Sequence, residues 1–195
     1  MILNMANSKL IIVEGPQGAG KTTVTDYIRY SLKYTNLYRL SGTSDSTPAG
    51  LQKSINMYNT LLDYVEKMQN LDINLLFDRT FFTEENYCRL GFKEYSFTET
   101  YNKLLKRLAS FDFDIYYITL YLEDTSLFEK RLQRENKAIP AYAKFNAQKS
   151  IDQQNTYLQM ADEIRKEYPH IHCINIATDH EFEITQEILK KIFNF

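Results

Sequence analysis

A glycine-rich segment between an apolar run and a helical pattern constrains the fold of this chain more than any other feature. The segment reads EGPQGAGKTT and contains Gly15-x-x-x-x-Gly20-Lys21-Thr22. The apolar run before it is typical of a buried strand, and the pattern after it is typical of a helix. Glycines let the backbone curl with its N–H groups turned inward, and the start of the helix adds its positive dipole end. The sequence therefore predicts a phosphate-binding strand–loop–helix unit.

The fixed positions of this loop indicate which groups hold a nucleoside triphosphate. Lys21 supplies a mobile charge for the outer phosphates, and the hydroxyl of Thr22 is placed to ligate Mg²⁺. ATP with Mg²⁺ is therefore the expected ligand. The residues predicted to bind it in this loop are Gly15, Gln17, Gly18, Ala19, Gly20, Lys21, Thr22 and Thr23. The loop alone leaves open whether the γ-phosphoryl group goes to water or to an acceptor.

Short apolar runs alternate with longer helical patterns along the rest of the chain. The predicted strands are Lys9–Glu14, Leu37–Leu40, Asn74–Asp78, Ile115–Leu122 and Ile171–Ile176. The predicted helices are Thr22–Lys33, Leu51–Gln69, Thr83–Leu90, Phe97–Ser110, Ser126–Asn136, Phe145–Glu167 and Glu181–Phe193. This alternation predicts a single α/β domain over residues 1–195, with a parallel sheet flanked by helices. Ligands of such sheets bind beyond the carboxyl ends of the strands.

Composition and charge exclude several classes of protein. The formal net charge of -2 argues against a protein that coats a nucleic-acid duplex. No apolar run approaches the roughly 20 residues that span a bilayer, and no signal peptide is evident. Cys88 and Cys173 are far apart and indicate free thiols in a reducing compartment. His170 and His172 have no third metal ligand close in sequence, so we expect them to lie at an ordinary strand end and not to bind a metal ion. A cytoplasmic enzyme is the expectation.

Asp78 is the last residue of a predicted buried strand, and Arg79 follows it directly. An acid at such a strand end can hold Mg²⁺ through water, beside the threonine of the phosphate loop. Arg79 points roughly the other way from an extended backbone and can serve an anionic or polar substrate. The alternative is a structural ion pair between the two residues, which would carry no chemistry.

The spacing of Asp78-Arg79, Thr83 and Tyr87 resembles that of thymidylate kinases and the wider group of P-loop deoxynucleotide and deoxynucleoside kinases. The resemblance implies that Arg79 contacts the phosphate of the acceptor and acts in catalysis. It implies that Tyr87 lies near the sugar and that Thr83 belongs to the same acceptor site. It also implies the P-loop NTPase fold with a five-stranded parallel core, and often a homodimer.

Upstream, Arg39 and Gly50 match the segment that these kinases carry after their second strand. The resemblance implies that both bind the acceptor, and it places Tyr58 in a helix that borders the acceptor site. This chain departs from the family after Arg39, where Leu40 and Ser41 replace an acid and a proline.

Downstream, a predicted strand and helix lead to a segment that resembles the short helical lid of the family, roughly residues 134–144. Arg131 and Arg134 match its basic positions. The resemblance implies that Arg131 contacts the nucleotide and that Arg134 stabilises charge in the transition state, as an arginine finger does. Alternatively, both arginines pair with neighbouring glutamates on a solvated helix face.

The missing acid discriminates between two kinds of acceptor. A nucleoside kinase benefits from a carboxylate base close to the neutral 5′-hydroxyl, whereas a monophosphate is already ionised and needs cations. Leu40 and Ser41 therefore favour a monophosphate acceptor, and the resemblance implies a deoxynucleoside monophosphate, with dTMP as the leading expectation. A deoxynucleoside kinase stays open as an alternative, with Glu14 or Asp45 as its base. A non-catalytic or hydrolytic nucleotide-binding protein is the third.

Overall fold

The computed structural model describes residues 8–134 and 146–195, and five parallel strands form its centre. The sheet has the order β2-β3-β1-β4-β5, and every pairing in it is parallel. The strands are β1 Lys9–Glu14, β2 Thr35–Arg39, β3 Asn74–Asp78, β4 Asp114–Tyr121 and β5 His172–Ala177. The predicted fold class, a five-stranded parallel sheet flanked by helices, is confirmed. The predicted lid lies outside the described residues apart from its first position.

Helices cover both faces of this sheet. They are α1 Lys21–Ser31, α2 Pro48–Lys67, α3 Phe81–Arg89, α4 Thr98–Leu108, α5 Leu127–Arg134, α6 Ala147–Glu167 and α7 Phe182–Phe193. The start of α2 at Pro48 precedes the predicted start at Leu51, because proline suits a first turn whose N–H groups have no helical partner. In the described part of the chain, no helix is long and apolar enough to cross a membrane.

Alternate residues of the strands pack into two separate cores. Leu10 and Ile12 lie in the core shared with α2, α3, α4 and α6, whereas Ile11 and Val13 lie in the core shared with α1 and α7. Successive side chains of a strand point to opposite faces of the sheet. The last residue of β1, Glu14, therefore faces α3 and α6. The last residue of β3, Asp78, faces α1.

The strand register brings these two acids to one edge of the sheet. Val13 pairs with Asp78, which in turn pairs with Arg39 at the end of β2. The phosphate-binding loop leaves the same edge, between β1 and α1. This is the carboxyl edge at which parallel sheets bind their ligands.

Candidate active site

Three glycines shape the loop between β1 and α1. Gly15, Gly18 and Gly20 have φ of 149°, 88° and 84°, a region that side chains other than glycine rarely adopt. A Cβ atom on Gly15 would also lie 2.6 Å from the carbonyl oxygen of Leu120 in β4. The spacing of glycines noted in the sequence is thus required by the backbone of the loop.

Lys21 is held inside this loop by the loop itself. Its Nζ donates hydrogen bonds to the carbonyl oxygens of Gly15 and Pro16, each at 2.7 Å. Ala19 is buried, whereas Thr22 and Thr23 are exposed at the first turn of α1. Thr22 is therefore accessible to a ligand, as the motif requires. Gln17 is half-buried at the rim of the loop.

Asp78 and Arg39 meet on the face of the sheet that α1 covers. Arg39 donates to Asp26 of α1 at 2.6 Å, and its Nε lies 3.6 Å from Oδ2 of Asp78. Asp78 is buried, and Arg39 is exposed. Asp78 thus faces the helix that carries Thr22, as a metal-binding acid would. The ion pairs of Arg39 direct its side chain toward α1. The acceptor contact predicted for Arg39 stays a prediction.

Arg79 occupies an unusual backbone conformation at the end of β3. Its φ is 72°, in the left-handed region, and its N–H donates to the carbonyl oxygen of Val13 at 3.1 Å. Burial lowers the pKa of Arg79, but Tyr87, Tyr157 and the nearby carboxylates more than offset this, so the pKa is raised. Within the described residues the guanidinium group forms no hydrogen bond and no ion pair. The guanidinium group keeps its full charge, and its N–H donors are available to a ligand.

Glu14 lies on the opposite face from Asp78 and is fully buried. Its carboxylate accepts hydrogen bonds from the backbone N–H of Thr80 at 2.7 Å and from the hydroxyl of Thr83 at 2.8 Å. Thr83 also shares a hydrogen bond with the hydroxyl of Tyr157 at 2.9 Å. Burial raises the pKa of Glu14 to about 7, against the opposing effects of these donors and of Lys21 and Arg79. Thr83, predicted to bind the acceptor, is thus engaged by Glu14 and Tyr157.

This raised pKa predicts a dependence of stability on pH. The folded protein favours the protonated form of Glu14, so the stability that this preference contributes is present below about pH 4.5 and is lost as pH rises through 7. Relative to Glu14→Gln, we expect the free energy of unfolding of the wild type to fall by up to about 3 kcal/mol between pH 4.5 and pH 8. Urea unfolding of both proteins across this range measures the difference. A difference independent of pH would contradict the raised pKa.

A second buried carboxylate fastens the loop between β2 and α2. Glu84 accepts from the backbone N–H of Thr43 at 3.1 Å and from the hydroxyl of Tyr95 at 2.5 Å, and it pairs with Lys93 at 3.2 Å. The Nζ of Lys93 also donates to the carbonyl oxygen of Thr43. Sequence reasoning missed this cluster, because acids in the first turn of a helix are ordinarily solvated.

Tyr58 reaches the same loop from α2 but is part of the core. It is fully buried, its ring packs edge-on against Phe81 and Phe97, and within the described residues its hydroxyl has no hydrogen-bond partner. Gly50, near the start of α2, is tightly enclosed, because a Cβ atom there would lie 2.0 Å from the carbonyl oxygen of Asp45. Tyr87 is half-buried, and its ring contacts that of Phe92. The acceptor contacts predicted for these residues stay predictions.

Arg131 bridges the phosphate loop and the segment after β5. It donates to the carbonyl oxygen of Gly18 at 3.1 Å and to the carbonyl oxygen of Thr178. The hydroxyl of Thr178 in turn donates to the carbonyl oxygen of Ala19 at 2.8 Å. Thr178 was not singled out from the sequence, since an isolated threonine after a strand carries no motif. Arg134 ends α5, and its side chain lies outside the described residues.

The remaining sequence features have separate, ordinary surroundings. His170 contacts the carbonyl oxygen of Ala109, whereas His172 contacts Asp114, so the two imidazoles serve different partners. Cys88 and Cys173 are free thiols.

Comparison with known proteins relates the fold to solved structures. No protein-family model and no curated protein matches the sequence. A thymidylate kinase from Candida albicans matches 97% of this chain and 92% of its own, with 17% identity and a TM-score of 0.62. A deoxyadenosine kinase from M. mycoides, solved with the products dCMP and dCDP, matches 95% of this chain and 98% of its own, with 18% identity and a TM-score of 0.64.

The chain has the fold of the P-loop nucleotide kinases. A third structure agrees: the YorR protein of Bacillus subtilis, solved in complex with phosphorylated GDP, matches 94% of this chain and 95% of its own. Its identity is 21% and its TM-score is 0.63. At these identities the likeness establishes the fold and leaves the reaction to be argued from the site.

Proposed function

We propose that this protein transfers the γ-phosphoryl group of ATP to a deoxynucleoside monophosphate, with dTMP as the first acceptor to test. The observation that carries the proposal is Arg79, a charged guanidinium without an ion pair or hydrogen bond in the described residues, at the sheet edge that carries the phosphate loop. A phosphate monoester carries nearly two negative charges at neutral pH and is the ligand that such a group orients best.

The donor side of the proposal rests on the loop and its supports. Lys21 is assigned to the outer phosphates, and Arg131 holds the loop at Gly18. Thr22 and Asp78 fit a magnesium ion, because a hydroxyl and a carboxylate oxygen are ligands that Mg²⁺ accepts, Thr22 lies in α1, and Asp78 faces α1. Bound there, Mg²⁺ would neutralise charge that develops on the phosphates.

The acceptor side rests on the lack of a suitable base among the residues that the structure describes. Asp45 accepts hydrogen bonds from Lys53 and Thr47, and these contacts lower its pKa to about 2. A carboxylate with so low a pKa is too weak a base to take a proton from a hydroxyl. Glu84 is buried and occupied by Thr43, Tyr95 and Lys93. A monophosphate needs neither, since its attacking oxygen is already ionised.

A deoxynucleoside kinase is the second candidate, and Glu14 is the observation that favours it. A carboxylate with a pKa of about 7 matches the range of a general base at neutral pH. Its complete burial and its hydrogen bonds from Thr80 and Thr83 weigh against this role, because no 5′-hydroxyl can approach an occupied, enclosed carboxylate.

The proposal is tested by incubating the protein with MgATP and a panel of deoxynucleosides and their monophosphates, and measuring ADP formation. We expect a monophosphate to give the highest kcat/KM. Faster turnover with a deoxynucleoside would support the second candidate. ADP formation independent of any acceptor would indicate a hydrolytic protein and end the proposal.

A further inference from the structure

The turn formed by Asp78, Arg79 and Thr80 has a backbone that its sequence does not favour. Arg79 adopts a φ of 72°, a conformation that costs energy for a residue with a long side chain. Such a conformation persists only where the surrounding structure holds it, and it decides the direction in which the side chain leaves the strand.

Two hydrogen bonds hold the peptide groups on either side of Arg79. The N–H of Arg79 donates to the carbonyl oxygen of Val13, and the N–H of Thr80 donates to Oε1 of Glu14 at 2.7 Å. The hydroxyl of Thr80 lies 3.3 Å from the same oxygen. The end of β1 thus fixes both peptides of the left-handed residue, and the second of these contacts depends on one side chain.

Glu14 is itself held rigidly. Its other oxygen accepts from Thr83, which shares a hydrogen bond with Tyr157, and all three residues are buried. The groups facing the carboxylate are the hydroxyls of these residues, the nearby Tyr117, and the cations of Lys21 and Arg79. In the described residues its hydrogen bonds come from neutral donors alone.

We propose that Glu14 is a positioning residue for Arg79: its carboxylate fixes the peptide that follows Arg79 and thereby aims the guanidinium group at the acceptor phosphate. The inference rests on the proposed function, because it needs an anionic acceptor. A carboxylate kept only to fill space would be replaceable by an apolar side chain, since burying an ionisable group is costly.

Two conservative variants separate the effect of the length of the Glu14 side chain from the effect of its charge. Glu14→Gln keeps the length of the side chain, and its amide oxygen can still accept from Thr80, although the charge is lost. Glu14→Asp keeps the charge but is one methylene shorter and draws back from Thr80. If Glu14 acts by position, Glu14→Asp should raise the KM for dTMP at least about 10-fold and lower kcat, with the Kd for ATP within about 2-fold of wild type. Glu14→Gln should keep the KM for dTMP within about 3-fold of wild type.

A matched control and a double-mutant cycle complete the test. Glu85→Gln alters another fully buried carboxylate of the same region, paired with Arg89, and should leave the KM for dTMP unchanged. In a background with Arg79→Ala, adding Glu14→Asp should change kcat/KM for dTMP less than about 2-fold, because its effect passes through the lost guanidinium group.

The opposite pattern would overturn the inference. If Glu14→Gln raises the KM for dTMP and Glu14→Asp does not, the role of Glu14 depends on its charge. If the losses of kcat/KM for dTMP in the double-mutant cycle are additive, they reflect general destabilisation. If Glu14→Asp fails to fold, Glu14→Gln decides alone: a rise of 10-fold or more in the KM for dTMP contradicts the inference.

If calorimetry shows no dTMP binding to the wild type, the proposed function fails first, and the inference fails with it. Wild-type binding that Glu14→Asp leaves unchanged ends the inference alone.

Discussion

Replacing Lys21 with alanine should lower turnover at least about 10²-fold, the loss expected when one transition-state donor is removed. The ammonium group of Lys21 lies inside the phosphate loop, held by two carbonyl oxygens at 2.7 Å. The other residues of the loop, 15–20, carry no cationic side chain that could replace this ammonium group. Initial rates of ADP formation at saturating MgATP and acceptor measure the loss.

A matched variant separates this effect from a change in net charge. Lys33→Ala removes the same charge from an exposed position beyond α1 and should leave turnover close to that of the wild type. Turnover like the wild type in Lys21→Ala would remove Lys21 from the proposed donor site.

Replacing Arg79 with alanine should reduce kcat/KM for the acceptor by about 10²- to 10³-fold, through a higher KM and a lower kcat. The reason is the loss of the guanidinium group that we assign to the acceptor phosphate. The affinity for ATP should stay nearly unchanged. Steady-state kinetics with varied acceptor, together with calorimetric titration of ATP, separate the two effects. A variant in which only ATP binding suffers would move Arg79 to the donor side.

Arg39→Ala provides the comparison for Arg79→Ala. Arg39 pairs with Asp26 and Asp78 on the α1 face, so its loss should alter ATP·Mg²⁺ binding more than the KM of the acceptor. A rise in the acceptor KM equal to that of Arg79→Ala would instead support the acceptor role that the family resemblance implies for Arg39.

The parts of the site that are continuous in sequence were predictable. The phosphate loop combines a strand, fixed glycines and a helix start within a few residues, so local pattern identifies it. The position of Asp78 at the end of β3, with Arg79 directly after it, was predictable for the same reason, because the structure reproduces the predicted bounds of that strand.

The contacts that join distant segments were not predictable from the sequence. Glu14 meets Thr83, which lies 69 positions further along the chain, and Glu84 fastens Thr43, which lies 41 positions before it. Nothing in the spacing of these residues indicates that they meet, because only the order of strands in the sheet and the path of α3 bring them together. The direction of Arg39 depends likewise on Asp26 of α1 and on the face to which β2 turns its last residue.

Tyr58 illustrates a different reason for an incomplete prediction. Tyrosines at helical spacing are typical of a core, and its ring is indeed buried among aromatic side chains. Its hydroxyl nevertheless has no partner in the described residues, close to Gly42 and Glu84. Whether a buried tyrosine borders a binding site depends on its outermost atom, and sequence periodicity describes only its helix face.

The most direct test of the proposed reaction follows the γ-phosphoryl group itself. The protein is incubated with Mg²⁺ and ATP labelled at the γ-phosphoryl group, in parallel with dTMP and with deoxythymidine, and the labelled products are separated by chromatography. We predict that the label appears in the deoxynucleoside diphosphate, formed from dTMP at a far higher kcat/KM than any product of deoxythymidine. A higher kcat/KM for labelled dTMP formed from deoxythymidine than for the diphosphate formed from dTMP, or label in inorganic phosphate alone, would contradict a monophosphate kinase.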